Sequence, residues 1–206
     1  MFNNKLNTIF FKMMFFVLVG TVLFIMGCDE DNPVEPDSPE GFGKELVIDA
    51  SGSSDWVYFS FADSQVVAID DPASSTDWDL GLRRYHLCTN SGTSGSGKGG
   101  ALDLGEVEFV AVTTVPAEGY TVDDSVAYEG HGGTTMYSVN PVLETWAAME
   151  GMPPTFVPSN HIFAVKTAGG KYVKLWLKNY YNNEGASGYI TIQYYYQADG
   201  STDFED

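Results

Sequence analysis

His161-Ile162-Phe163-Ala164-Val165-Lys166-Thr167, then Ala168-Gly169-Gly170, then Lys171-Tyr172-Val173-Lys174-Leu175-Trp176-Leu177-Lys178 is the stretch that decides the fold. In its second half Val173, Leu175 and Leu177 fall on one face, and Tyr172, Lys174, Trp176 and Lys178 on the other. That period of two is the signature of a strand. Gly169-Gly170 can take the positive φ angles of a tight hairpin turn. One apolar face and one wetter face is the antiparallel pattern. The same alternation recurs outward from this hairpin. Residues 189–197 set Ile190, Ile192, Tyr194 and Tyr196 against Thr191, Gln193 and Tyr195. Further strands are expected at residues 44–50, 56–61, 65–69, 78–87 and 107–112, bounded by Gly, Asp, Asn and Pro. Only residues 140–149 read as a helix, with Asn140 as a cap and Pro141 in the first turn. The expected class is all-β, built of antiparallel sheets and hairpins with one short helix.

The N-terminal segment reads differently. Residues 1–12 carry Lys5 and Lys12 and no acid, and residues 13–26 are almost entirely apolar. This is the charged and greasy pair of regions of a secretory signal, with an apolar run too short for a confident membrane span. It ends in Ile25-Met26-Gly27-Cys28, which resembles a bacterial lipobox, so Cys28 is the expected site of lipidation. The expected organisation is a lipoprotein signal peptide over residues 1–27, an acidic, Pro-rich tether over 28–43 and a β domain over 44–206. Asp29-Glu30-Asp31 directly after the cysteine resembles the surface-export signal of Bacteroidetes-type lipoproteins. That resemblance implies a domain anchored by lipid in the outer membrane and exposed on the cell surface. A tether facing the periplasm is the alternative. With Cys28 lipidated, Cys88 has no partner in the chain, which excludes a disulfide and leaves a small buried residue or a free thiol.

A chain of 206 residues, 44% hydrophobic and 14% aromatic, has apolar material enough for one folded domain. Its ten Lys/Arg against 28 Asp/Glu give a formal net charge of −18. Loss of residues 1–27 would leave eight basic residues against the same 28 acids, a net −20. Such a surface repels phosphate backbones and anionic lipids, which excludes nucleic-acid binding. Gly92-Thr93-Ser94-Gly95-Ser96-Gly97-Lys98 satisfies the spacing of a phosphate loop, but Gly99 stands where a magnesium-holding Ser or Thr is needed and no helix follows. It reads instead as a mobile or tightly turned connection. No G-x-S-x-G elbow is present, and Asp70-Asp71 and Asp123-Asp124 are expected as solvated pairs rather than a glycosidase dyad. No enzyme activity is expected. His86, His131 and His161, with Met136, Met149 and Met152, supply imidazole and thioether, the soft axial donors that haem iron accepts.

Trp78-Asp79-Leu80-Gly81-Leu82-Arg83-Arg84-Tyr85, then Thr89-Asn90-Ser91-Gly92-Thr93-Ser94-Gly95 and Gly97-Lys98-Gly99-Gly100-Ala101, resembles the HmuY family of Bacteroidetes haem-binding lipoproteins. Phe163-Ala164-Val165-Lys166-Thr167, Gly170-Lys171-Tyr172-Val173-Lys174-Leu175 and residues 188–196 agree with it. The resemblance implies an all-β fold that clamps haem between two loops and passes it to a TonB-dependent outer-membrane receptor. Carried onto this sequence, it makes His131 and His161 the first choice of axial ligands, with Met136 and Met149 as the fallback. His86, inside a framework strand, ranks below both pairs. Tyr137, Trp146, Phe156 and Trp176 are the expected walls of the pocket. The haem propionates would point to water or meet a local cation such as Arg83, Arg84 or Lys166. The competing expectation is a lipoprotein of the same fold that has lost haem and captures a glycan or peptide.

Overall fold

The computed structural model describes residues 43–130 and 132–205. The signal segment, Cys28 and nearly all of the tether lie outside the described residues. The 161–178 stretch forms β11 (Ile162–Lys166) and β12 (Tyr172–Tyr181), paired antiparallel with Phe163 opposite Leu175. Gly170 takes φ +85° at the turn, while the Gly170 and Lys171 amides donate to the Thr167 carbonyl and hydroxyl. With β1 (Lys44–Asp49), β6 (Gly100–Asp103) and β13 (Ser187–Gln197), these strands make a five-stranded antiparallel sheet in the order β1-β13-β12-β11-β6.

A second sheet runs β3-β2-β4-β5, from β2 (Val57–Ser60), β3 (Gln65–Val67), β4 (Leu80–Arg83) and β5 (His86–Thr89). Residues 78–87, expected as one strand, are therefore a hairpin. Arg84 turns it at φ +56°, with its amide donating to the Ala50 carbonyl. The main core is formed by Val173, Leu175, Ile190, Ile192 and Phe163 of the larger sheet with Phe59, Leu80, Leu82 and Leu87 of the smaller. The opposite face of the larger sheet, carrying Ile162, Ala164 and Tyr172, is covered by Phe109, Val112, Val115 and Phe204. Lys174 is buried on that second face, donating to the Val112 carbonyl (3.1 Å), with its ammonium 4.7 Å from the Phe109 ring centre.

Two segments depart from expectation. Residues 107–112 contain a 3-10 turn, Phe109–Ala111, instead of a strand, and Phe109 and Val112, three residues apart, both face the second core. Residues 140–149 hold a 3-10 turn, Leu143–Trp146, followed by a strand, rather than a helix. Asn140 does cap it, its Oδ1 accepting from the Val142 and Leu143 amides at 3.1 and 3.2 Å. Ala147 then swings to φ −146°, which ends helical winding and starts β9 (Ala147–Glu150). The glycine-rich connection is tightly built. Asn90, fully buried, donates to the Ser75 and Trp78 carbonyls and accepts from the Gly97 amide. At Gly95 a Cβ would lie 2.2 Å from Asn90 Oδ1, so only glycine fits.

Two antiparallel ribbons complete the domain. One pairs β7 (Asp124–Gly130) with β8 (Gly133–Val139); the other pairs β9 with β10 (Thr155–Pro158).

Candidate ligand-binding site

Both ribbons are seated on one pair of consecutive residues. Tyr85 and His86 are in ring contact, 4.0 Å between centres. Tyr128 of β7 and Tyr137 of β8 each close on the His86 ring at 4.6 Å. Phe156 of β10 stacks on Tyr85 at 4.6 Å and meets Tyr180 edge-on at 4.8 Å. The result is a continuous aromatic seam, Tyr128–His86–Tyr85–Phe156–Tyr180, drawn from four separate parts of the chain. A register shift in the β12–β13 ladder around Asn179 helps build it. Such a bulge re-aims the residues beyond it. Here it leaves Tyr180 buried in the main core and lets the Tyr181 hydroxyl accept from the Phe156 amide (2.9 Å).

Glu144 is the polar centre of the seam. Its Oε1 accepts from the Leu87 amide (2.8 Å), and its Oε2 from His86 Nδ1 (2.9 Å) and the Tyr128 hydroxyl. A carboxylate only accepts, so His86 carries its proton on Nδ1. Burial, then the hydrogen bond to Glu144 and its charge, pushes the Tyr128 phenol well above its ordinary range, so it stays a donor. One carboxylate thus ties the β7–β8 ribbon to β5 and to the 3-10 turn.

Of the sequence-predicted residues, Tyr137 and Phe156 stand in the seam. Trp146 lies beneath it, buried, its Nε1 donating to the Tyr85 carbonyl (2.9 Å). Trp176 packs against the second core on the far face of the larger sheet, under the Lys178 ammonium at 4.7 Å. Met149 pairs across its ribbon with Phe156 and so shares its face. Met136 pairs with Ala127, on the face of its ribbon opposite Tyr137. Both thioethers are open to solvent, 55% for Met136 and 62% for Met149. His161, just before β11, is partly exposed, and its Nδ1 donates to Asp103 Oδ2 (2.9 Å). His131 lies outside the described residues. His86, ranked last from sequence, is at the centre of the seam and buried. Among the described residues no group of three or more His, Cys, Asp or Glu is arranged to hold a metal ion. Cys88 is buried, and burial pushes its thiol well above the usual range.

Sequence reasoning also missed Tyr85, Tyr128 and Glu144. The alternation of Val126, Tyr128, Thr135 and Tyr137 around the glycines at 130, 132 and 133 was the available signal for the first ribbon. A separate open groove of 660 Å³ lies along the edge strand β3, lined by residues that include Gln65, Asp63, Asp77, Lys171 and Tyr196. No seam residue lines it.

Residues 53–194 match the model of the HmuY protein family. The chain belongs to the HmuY family. A solved structure from Bacteroides vulgatus, described as a HmuY-like haem-binding protein, is 26% identical, with a TM-score of 0.61 over 76% of this chain and 93% of its own. The apo HmuY analogue of Tannerella forsythia is 24% identical (TM-score 0.60, 75% and 95% covered). A Bacteroides fragilis protein described as a lipoprotein is 22% identical (TM-score 0.59, 76% and 90% covered). These last two likenesses establish the HmuY-type fold. No curated protein matches the chain.

Proposed function

We propose that this protein is a surface lipoprotein that binds haem without chemical turnover, gripping it with the β7–β8 and β9–β10 ribbons, and hands it to an outer-membrane uptake system. The observation that carries this reading is the shared seating of both ribbons on Tyr85 and His86, with each ribbon offering an exposed thioether. Thioether sulfur is a soft donor that suits haem iron. Met136 and Met149 are therefore the axial donors this reading favours. His161 is the imidazole competitor. Asp103 accepts from its Nδ1, which leaves Nε2 as the acceptor nitrogen, the pairing found behind many metal-binding histidines. Family membership and the Bacteroides vulgatus neighbour support haem as the cargo.

Titration of the domain from residue 44 onward with hemin tests this. A sharpened Soret band that weakens in Met136→Ala and Met149→Ala and survives in His131→Ala and His161→Ala is expected. The reverse pattern would transfer ligation to the histidines. A flat wild-type titration defeats the reading. A second reading, capture of a peptide or glycan, is favoured by the groove along β3, where an unpaired strand edge and the Tyr196 ring lie together. Binding of such a ligand without any hemin response would select it.

A further inference from the structure

The core between the two sheets is open along β3. Val66 is the cross-strand partner of Phe59 and so shares its face, yet Phe59 is fully buried and Val66 is 54% exposed. Among the described residues β3 pairs with β2 alone, so its other side presents unpaired backbone N–H and C=O groups. The 660 Å³ groove lies on that strand, with Tyr196 of β13 and Lys171 beside β12 completing its lining. Its ionisable residues leave it negative. Asp63 and Asp77 line it, accepting from the Ser60 and Ser75 hydroxyls at 2.9 and 3.3 Å. Among the described residues neither carboxylate has a cation within ion-pair distance. Lys171 donates to the Ala198 carbonyl instead.

The chain enters the domain at the same place. Lys44 pairs with Tyr194, two residues from Tyr196, and its Nζ donates to the Ser64 hydroxyl (2.7 Å), next to Gln65. The preceding residues 28–42 carry six acids and no base, so like charge turns them away from Asp63 and Asp77. A sugar is also a poor match, because the Tyr196 ring on which it would stack already has the Lys171 ammonium 5.8 Å from its centre. An extended backbone matches the open edge group for group, and lysine or arginine on it would answer the two free carboxylates.

We infer that this groove is a docking site for a partner protein, which lays an extended, basic segment against β3 and adds a strand to the smaller sheet. This rests on the peptide half of the second reading above, narrows it to strand addition, and is independent of haem. No seam residue lines the groove, so cargo and partner can be held together.

The test uses the isotope-labelled chain from Asp29 onward and an acetylated heptapeptide in which valine alternates with lysine or threonine. Amide shifts and slowed hydrogen exchange are expected at residues 65–67. N-methylation of the alternate amides on one peptide edge should abolish binding, and methylation of the other set should not. Aspartate in place of the peptide lysines should also abolish it. An exposed ion pair contributes up to about fivefold, so Asp77→Asn should weaken the peptide by up to about that factor and Asp77→Lys by more. Val66→Lys should block the edge while leaving the hemin titration as in wild type. Peptide binding at these residues that ignores both N-methyl sets, or that tolerates aspartate, overturns strand addition by a basic segment but leaves peptide capture standing. No peptide response at residues 65–67 overturns both. A response that appears only when the chain starts at residue 44 overturns the partner assignment in favour of the protein's own leading segment. Shifts at the groove with maltoheptaose and none with peptide assign it to glycan capture.

Discussion

Asp79 of the Trp-Asp pair joins the two sheets, and its removal should be among the most damaging single changes in the domain. It is buried, and its two carboxylate oxygens accept from backbone amides far apart in sequence: Phe61 at 3.0 Å, beyond the end of β2, and Ala168 at 2.9 Å, in the β11–β12 turn. Asp79→Ala leaves both buried amides without acceptors. At about 1–3 kcal/mol for each orphaned group, the loss is roughly 2–6 kcal/mol. A domain of this kind holds about 5–15 kcal/mol in total, so the variant would be close to the edge of folding. Asp79→Asn keeps one acceptor oxygen and presents an NH2 to the other amide, so about half the loss is expected. Urea unfolding followed by tryptophan fluorescence reads the series directly, because Trp78 is fully buried beside the site. The order wild type, Asn, Ala in midpoint with an unchanged denaturant slope is the expected result. Asp79→Ala within about 0.5 kcal/mol of wild type, a shift typical of a neutral surface change, would refute the assignment of Asp79 as a link between sheets.

Tyr128→Phe should cost roughly 1.5–3 kcal/mol by removing a hydrogen bond to a charged group, and should speed amide exchange in β7 and β8 while sparing β12; uniform exchange would show that Glu144 does not anchor the ribbon. Asp123, which accepts from Thr89, Ser91 and Asn140, has its carboxyl raised by burial above the ordinary 3.8. Because the folded form then holds its proton more tightly than the unfolded one, its contribution falls as pH rises from 3.8 through the raised value. The stability of wild type relative to Asp123→Asn should accordingly decline over that window in urea titrations at stepped pH, and a rising difference would contradict the burial argument.

How much could be read from sequence depended on whether a feature was local. The 161–178 hairpin was legible because Val173, Leu175 and Leu177 alternate and Gly170 supplies the turn. The β4–β5 hairpin was hidden because Arg84, not a glycine or asparagine, adopts the left-handed conformation there. Residues 140–149 misled for a related reason: Asn140 and Pro141 open a 3-10 turn as readily as an α-helix, and only pairing with β10 shows where winding stops. The family was legible in the Trp-Asp and glycine-rich framework, whose tight packing around Asn90 constrains residue choice. The seam was not. Tyr85, Tyr128, Glu144, Phe156 and Tyr180 are ordinary residues individually, and only the tertiary fold gives them a common surface.

Tyr85 and His86 are joined by one peptide bond, yet each seats a different ribbon. The two fingers of the molecule therefore hang from a single knuckle. Prying the β7–β8 finger from His86 disturbs the ring against which Tyr85 rests, and with it the perch of Phe156. A pull on one finger alone would therefore disturb the seating of both.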